Sequence, residues 1–334
     1  MAAKEFVIGV DLGGTNLLAA VVEPEKGEIL GQAKLKTRAE LGAQVVTERV
    51  AQAITQAMEK AGVKRKRILG VGVGVPGPMH PDTGVVVCCP NLGPTWENLP
   101  FAENLQKLVD LPVTLDNDVN VGAVGEHTYG AGRGTRDMLA IFVGTGIGGG
   151  LILDGKLRSG FRDAAAEVGH MVLLADGPLC GCGQRGHAEA LASRTAMERE
   201  IRAALEAGRP SILPHLLAQA GRDPADPGPI GSGLIGDAYE AGDPVVVEAV
   251  ERAQYYLGLL VASCVNLLDP EMVVLGGGVL ERMGEPYLEP VRRVAQQHYV
   301  QKADAERVRV VRAELGDYAG ALGAAVLAKR RLEK

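Results

Sequence analysis

KEFVIGVDLGGTNLLAAVVEP, residues 4–24, is an apolar run, a Gly13-Gly14 turn and a second apolar run. Two such runs about a glycine pair predict a hairpin with a tight polar tip. Glycine at the tip leaves backbone N–H groups open to a close-approaching anion. The pattern returns in DMLAIFVGTGIGGGLILDG, residues 137–155, where Gly144, Gly146, Gly148, Gly149 and Gly150 form the tip. Matching Asp11-Leu12-Gly13 with Gly144-Thr145-Gly146 predicts two related halves. A third glycine tip, Gly276-Gly277-Gly278, ends the apolar run EMVVLGGGVL. A dinucleotide fold needs its glycine fingerprint to open a helix, whereas the first two tips lead back into strand, and no Walker loop occurs. What remains is a pair of hairpins gripping phosphate, with Asp11 placed to hold Mg2+ directly or through water. A plain hairpin turn is the alternative for any one tip.

Between these tips, helical periodicity over residues 38–62 (Val45, Val46, Val50, Ile54, Met58) stops at Gly62. ILGVGVGVPGP reads as a buried strand, ENLQKLV as a helix and PVTLDND as a strand, with a further helix beginning after Asn120. Residues 203–240 are rich in Pro and Gly between helical stretches and read as a surface excursion. A long helix around VVVEAVERAQYYLGLLVASCVNLL, a strand RVRVVRAEL and a helix YAGALGAAVLAKR follow.

The chain has 334 residues, 46% hydrophobic and 23% charged, which predicts a globular protein with two domains rather than one. A net charge of −6 argues against a nucleic-acid surface, and the basic run Lys64-Arg65-Lys66-Arg67 reads as a solvated helix end. No stretch of about 20 apolar residues and no leader-like N-terminus is present, so the expectation is a cytoplasmic protein with no membrane partner. Its five cysteines are then thiols, not a disulfide framework. Cys88, Cys89 and Cys264 lie in apolar surroundings and are expected to be buried and inert.

GPLCGCGQRGH, residues 177–187, is different. His170, Cys180, Cys182 and His187 make a ligand set suited to tetrahedral Zn2+, structural because four protein ligands leave no open position. A glycine-rich turn with buried thiols is the alternative. VTLDNDVN carries Asp116, Asn117, Asp118 and Asn120 at the mouth of a strand, either a general base beside a polyol or ordinary turn and cap residues.

Taken together, Asp11-Leu-Gly-Gly-Thr15, Asn117-Asp118, Glu167-Val-Gly-His170, Cys180-Gly-Cys182-Gly-Gln-Arg-Gly and Glu189 resemble the ROK family of sugar kinases and sugar-responsive repressors. The resemblance runs from about residue 5 to about 328. It implies an α/β, actin-like ATPase fold of the hexokinase type, with ribonuclease-H-like domains closing over a cleft. The boundaries expected are residues 1–118 with about 318–334 for a small domain, and 119–317 for a large one holding the zinc loop and the 203–240 insertion. It implies that Asp118 takes the proton of a sugar hydroxyl, with Asn117, Glu167, His170, Glu189 and the backbone at Gly77 completing the sugar pocket. Gly13, Gly14, Thr15, Gly144, Thr145 and Gly146 would hold the ATP phosphates, and Gly276, Gly277 and Gly278 would lie by the adenosine. His170 would face zinc with one ring nitrogen and the sugar with the other.

Where His187 stands, the family usually has a third cysteine. The repressors carry a helix-turn-helix domain ahead of the first strand, and none fits the few residues before this one. The expectation is therefore a glucokinase acting on the C6 hydroxyl, with ATP and sugar as partners and a dimer or tetramer as the assembly. The alternatives are a kinase for mannose, fructose or an N-acetylhexosamine, and a non-catalytic sugar-binding regulator. A binder has no need of the Asp118 carboxylate.

Overall fold

The opening hairpin forms as read, β1 (Phe6–Leu12) and β2 (Asn16–Glu23) pairing antiparallel with Leu12 opposite Leu17. The computed structural model describes residues 5–89, 91–224 and 228–333. Contacts group the chain into two units, the first running to Ala140 with Gly150–Ala166 and the segment from Glu314, the second Ile141–Gly149 with Glu167–Ala313.

In unit 1, β3 (Glu28–Lys36), β4 (Ile68–Val75) and β7 (Val113–Asn117) complete a sheet of order β3-β2-β1-β4-β7, beside a small ribbon of β5 (Met79–His80) and β6 (Val85–Val86). Strand alternation sends Ile8, Val10, Leu17, Ala19 and Val21 to one face and Val7, Leu18, Ala20 and Val22 to the other. The first face packs under α1 (Gly42–Ala61) and α2 (Phe101–Val109), through Val46, Val50, Ile54, Phe101 and Leu105. Helix α1 ends at Gly62 in the left-handed conformation, at the stop read from sequence.

The second face is covered by the last helix, α11 (Ala319–Leu332), whose Ala321, Leu322, Ala325 and Ala328 join that core. Its approach is close. A Cβ on Gly9 would lie 1.8 Å from the Ala321 carbonyl oxygen and one on Gly72 2.0 Å from that of Ala324. Helix α11 also packs extensively on α3 (Asp118–Tyr129), where a Cβ on Gly323 would come within 1.7 Å of the Val121 carbonyl. That packing keeps residues 119–140 with unit 1, so the contact units are drawn differently from the sequence boundaries.

The second sheet has the order β10-β9-β8-β11-β12, built from β8 (Met138–Val143), β9 (Ile147–Leu153), β10 (Lys156–Leu157), β11 (Met272–Gly276) and β12 (Arg309–Arg312). A hairpin followed by two strands added at its first strand is the plan of both sheets, which bears out the related halves. Helices α4 (Ala188–Ala192), α5 (Arg194–Glu206) and α8 (Pro244–Leu268) follow in unit 2. The 203–240 stretch holds α6 (Leu213–Gln219) and α7 (Ser232–Glu240), while residues 225–227 of its Pro-Gly run lie outside the described residues.

Five readings change. Gly148, Gly149 and Gly150, expected in the second tip, lie within β9, which leaves Gly144–Gly146 as the turn. Helix α3 starts at Asp118 rather than after Asn120, because the Asn117 side chain accepts from the Val119 and Asn120 N–H groups and caps the helix there. The strand expected over 307–315 shrinks to β12, since the N–H groups of Glu314 and Leu315 turn to the fully buried carboxylate of Glu126. Gly276–Gly278 is a strand-to-helix turn, with α9 (Gly278–Met283) starting on it and α10 (Glu285–His298) after. Cys88 is partly exposed, because strand pairing ends at Val86; Cys89 and Cys264 are buried, and burial pushes both thiols up to about 12.

Candidate active site

In unit 1 the register decides what meets. Strands β1, β4 and β7 run parallel, with Asp11 beside Gly74 and Gly74 beside Asp116, so these residues form one row across the sheet. Asn117, Asp118 and the Gly13-Gly14-Thr15 tip lie just past that row, at the carboxyl ends of the strands where open α/β sheets bind ligands. The tip is tightened by Gly13 N–H on the Asn16 carbonyl, 3.0 Å, and by the Thr37 hydroxyl on the Gly13 carbonyl, 2.6 Å.

Asp118, in the first turn of α3, has its Oδ1 2.9 Å from the Val119 N–H. Asp116 is buried, accepting from the Asn117 N–H and the Asn120 side chain at 2.9 Å each and from Arg331 at 2.5 Å. Gly77, at φ 97°, sits against the Cys88 carbonyl, and the Asn91 carbonyl approaches Gly14. Burial above all, with the Asp118 and Asp317 carboxylates adding, pushes the Asp11 carboxyl up to about 7. A crowded acidic pocket of this kind fits a hard divalent cation.

Unit 2 assembles the second tip. The Gly144 N–H donates to the Gly146 carbonyl at 2.9 Å, closing the β8–β9 turn. The start of α5 braces it from outside. The Arg194 N–H reaches the Gly144 carbonyl at 2.9 Å, its guanidinium the Thr145 hydroxyl at 3.1 Å, and the Thr195 hydroxyl the Thr145 carbonyl at 2.7 Å. With that oxygen accepting from Arg194, the one proton of Thr145 is directed elsewhere, as an anion-binding hydroxyl requires. Arg194 is itself held by Glu198 at 3.0 Å and the Ile230 carbonyl at 2.7 Å. Gly277, at φ 88°, turns the chain out of β11 against the backbone of Val143.

Glu189 joins this tip to the cysteine cluster. Its Oε2 accepts from the Ile147 N–H at 2.9 Å, and its Oε1 lies 3.3 Å from Cys180 Sγ. Only glycine admits that carboxylate beside residue 146, where a Cβ would sit 2.2 Å from Oε2.

The ligand atoms of His170, Cys180, Cys182 and His187 all lie within 4.8 Å of one another. His187 Nδ1 is 3.3 Å from both His170 Nδ1 and Cys182 Sγ, and Cys180 Sγ is 3.9 Å from His170 Nδ1. Tetrahedral Zn2+ with bonds of about 2.0–2.3 Å puts its ligand atoms about 3.3–3.8 Å apart, so the donor set fits. The Gly183 N–H on the Cys180 carbonyl, 2.9 Å, closes the turn that brings both thiols to the histidines, Cys180 buried and Cys182 exposed. Burial above all, with Glu189 adding, pushes the Cys180 thiol up to about 11. His170 Nδ1 faces the cluster while its Nε2 lies 4.0 Å from the Glu167 carboxylate, so the two ring nitrogens face different partners.

The structure therefore gathers Asp11, Gly13–Thr15, Asn117 and Asp118 in unit 1, and Glu167, His170, Cys180, Cys182, His187, Glu189 and Gly144–Gly146 in unit 2. Arg194, Thr195 and Arg331 escape the sequence reading, since nothing in their local spacing marks them. Asp116 stood among the candidates without a role.

The chain is 32% identical to a glucokinase of Halalkalibacterium halodurans, over 98% of this chain and 96% of that protein. It is 36% identical to one of Streptomyces coelicolor, over 97% and 98%. Its fold matches a ROK family glucokinase of Streptomyces griseus solved in complex with glucose and AMPPNP, with a TM-score of 0.82 and 34% identity over 97% of this chain and 99% of that one. The ROK family model matches residues 7–331, and the chain belongs to the ROK family.

Proposed function

We propose that this chain is an ATP-dependent glucokinase, moving the γ-phosphoryl group to the C6 hydroxyl of glucose. The observation that carries this reading is the placing of Asp118 at the capped start of α3, beside the row of Asp11 and Asp116 at the strand ends. Full-length likeness to glucokinases, one of them solved with glucose and an ATP analogue, supports the same reaction.

In this reading Asp118 accepts the C6 hydroxyl proton as the phosphoryl group arrives, through a loose transition state in which positioning and charge do most of the work. Asn117 and the Gly77 backbone hold neighbouring hydroxyls, as do Glu167, His170 and Glu189. The N–H groups of Gly13, Gly14, Gly144 and Gly146, with the hydroxyls of Thr15 and Thr145, hold phosphate oxygens. Gly276–Gly278 gives the adenosine side a wall without side chains. Mg2+ held by Asp11, directly or through water, would neutralise phosphate charge. Zn2+ in the Cys/His cluster would be structural, fixing the loop that carries Glu189 and orienting His170.

Among the described residues no helix is long and apolar enough to cross a membrane. Thiol ligands and a need for ATP suit the cytoplasm, where we place it. We also propose a homo-oligomer, a dimer or tetramer; exposed Val172, Leu174 and Leu179 on unit 2 supply apolar surface for a second copy.

The test is ADP release against a panel of hexoses, with glucose expected to turn over most efficiently. Asp118→Asn keeps the shape and removes the proton acceptor, so kcat should fall at least ~100-fold with little change in sugar affinity. Sugar binding without turnover in the parent protein would point to a regulator instead.

A further inference from the structure

We propose that Arg331, on the last helix, is a positioning residue for Asp118 and acts through the buried carboxylate of Asp116. The inference rests on the reading of Asp118 as the base. Asp116 is 3% exposed, and a carboxylate so far from water persists as an ion only when paired and fully hydrogen-bonded. Both its oxygens are used. Oδ1 accepts from the Asn117 N–H and the Asn120 side chain, and Oδ2 from Arg331 Nη2 at 2.5 Å. The second prong of the guanidinium, Nη1, donates to the Leu115 carbonyl at 2.5 Å.

Arg331 thus clamps two successive residues at the end of β7, while Asp116 pins both Asn117 and Asn120. Asp118 lies between those pinned points. Its backbone is bracketed by a strand end and a first helical turn that share one charged anchor. A planar two-pronged cation suits this task, and an ammonium supplies the charge without the second prong. Without the guanidinium, Asp116 is left as a buried carboxylate without its charged partner, so the junction that aims Asp118 must rearrange.

Arg331 also lines a surface cavity of about 530 Å³, together with Asp82, Glu103, Gln106 and Thr114. Deleting the side chain should therefore leave a hole that solvent reaches, beside acidic groups that favour a small cation.

Steady-state kinetics with glucose and ATP on Arg331→Ala, Arg331→Lys, Asp118→Asn and the Arg331→Ala/Asp118→Asn double variant test this. Arg331→Ala should lower kcat by ~10- to 100-fold while the KM for ATP stays near its parent value, and Arg331→Lys should recover part of the loss. Low-millimolar guanidinium chloride, against an equal concentration of sodium chloride, should raise kcat of Arg331→Ala several-fold and leave the parent unchanged. In the Asp118→Asn background, Arg331→Ala should add no further loss. Arg331→Gln is read in the same way if the alanine variant is insoluble. Full turnover in Arg331→Ala, or an equal fold-loss in both backgrounds, overturns the positioning role. Near-normal turnover of Asp118→Asn overturns instead the base assignment beneath it.

Discussion

Asp11 shows what a crowded carboxyl costs. Burial and two neighbouring acids lift it from an ordinary 3.8 to about 7, so the folded state holds a proton that the unfolded state has lost. A raised carboxyl of this kind weakens the fold as pH rises from about 4 to 7, and the penalty is constant above that. Asp11→Asn should therefore stabilise the metal-free protein by on the order of 2 kcal/mol at pH 8, allowing for solvent at this partly exposed group, and not at all near pH 4. Thermal melts of both proteins at the two pH values check this, alongside a loss of activity in the variant. A gain of equal size at both pH values would show that charge is not the cause. At the cluster, Cys180→Ser should take bound zinc from about one per chain to none and raise the KM for glucose strongly. The KM for ATP should rise less, because the Glu189 bond to Ile147 does not pass through the metal. His187→Cys should keep the ion. Elemental analysis beside kinetics decides it, and a metal-free protein of full activity would reduce the cluster to a turn.

At the scale of elements, α11 packs through very close contacts, and they run through glycine on both partners. Gly323→Ala puts a methyl group 1.7 Å from the Val121 carbonyl, a backbone atom that cannot step aside without shifting α3. The expected cost is ~2–4 kcal/mol, at or above the upper end for overpacking, readable as a lower urea midpoint at unchanged slope. Strands β1, β2 and β4, helix α1 and its Gly62 stop were legible because each is written as a local period or cap. The turns at Gly13-Gly14 and Gly144–Gly146 and the grouping of the Cys/His cluster were legible for the same reason. Helix α3 begins three residues ahead of the sequence expectation because Asn117 reads equally as a turn residue, and only its side chain, accepting from two N–H groups, makes it a cap. Arg194 stands 49 residues from Thr145 and Arg331 215 from Asp116, and no local pattern records pairs that far apart.

For the molecule as a whole, the chain passes between its two units four times, after Ala140, Gly149, Ala166 and Ala313. Neither unit is one continuous segment. A chain ending at Ala313 lacks α11, so Val7, Leu18, Ala20 and Val22 lose their covering face and Asp116 loses its partner. Such a fragment should be aggregation-prone, with its first sheet open to protease, while the parent resists digestion at the same sites; limited proteolysis with mass spectrometry reads this directly. A fragment that keeps β1 and β2 protected would mean that α11 is dispensable. The same closure also sets a schedule on the ribosome. Helix α11 is synthesised more than 300 residues after β1, which at ~5–20 residues per second is a wait on the order of tens of seconds. Throughout that interval the nascent first half displays a groove of Val7, Leu18, Ala20 and Val22, shaped by Gly9 and Gly72 for a helix that has not yet been made. Translation speed and chaperone supply should therefore govern the yield of this protein more than they govern that of a protein whose first domain is sealed by its own neighbours.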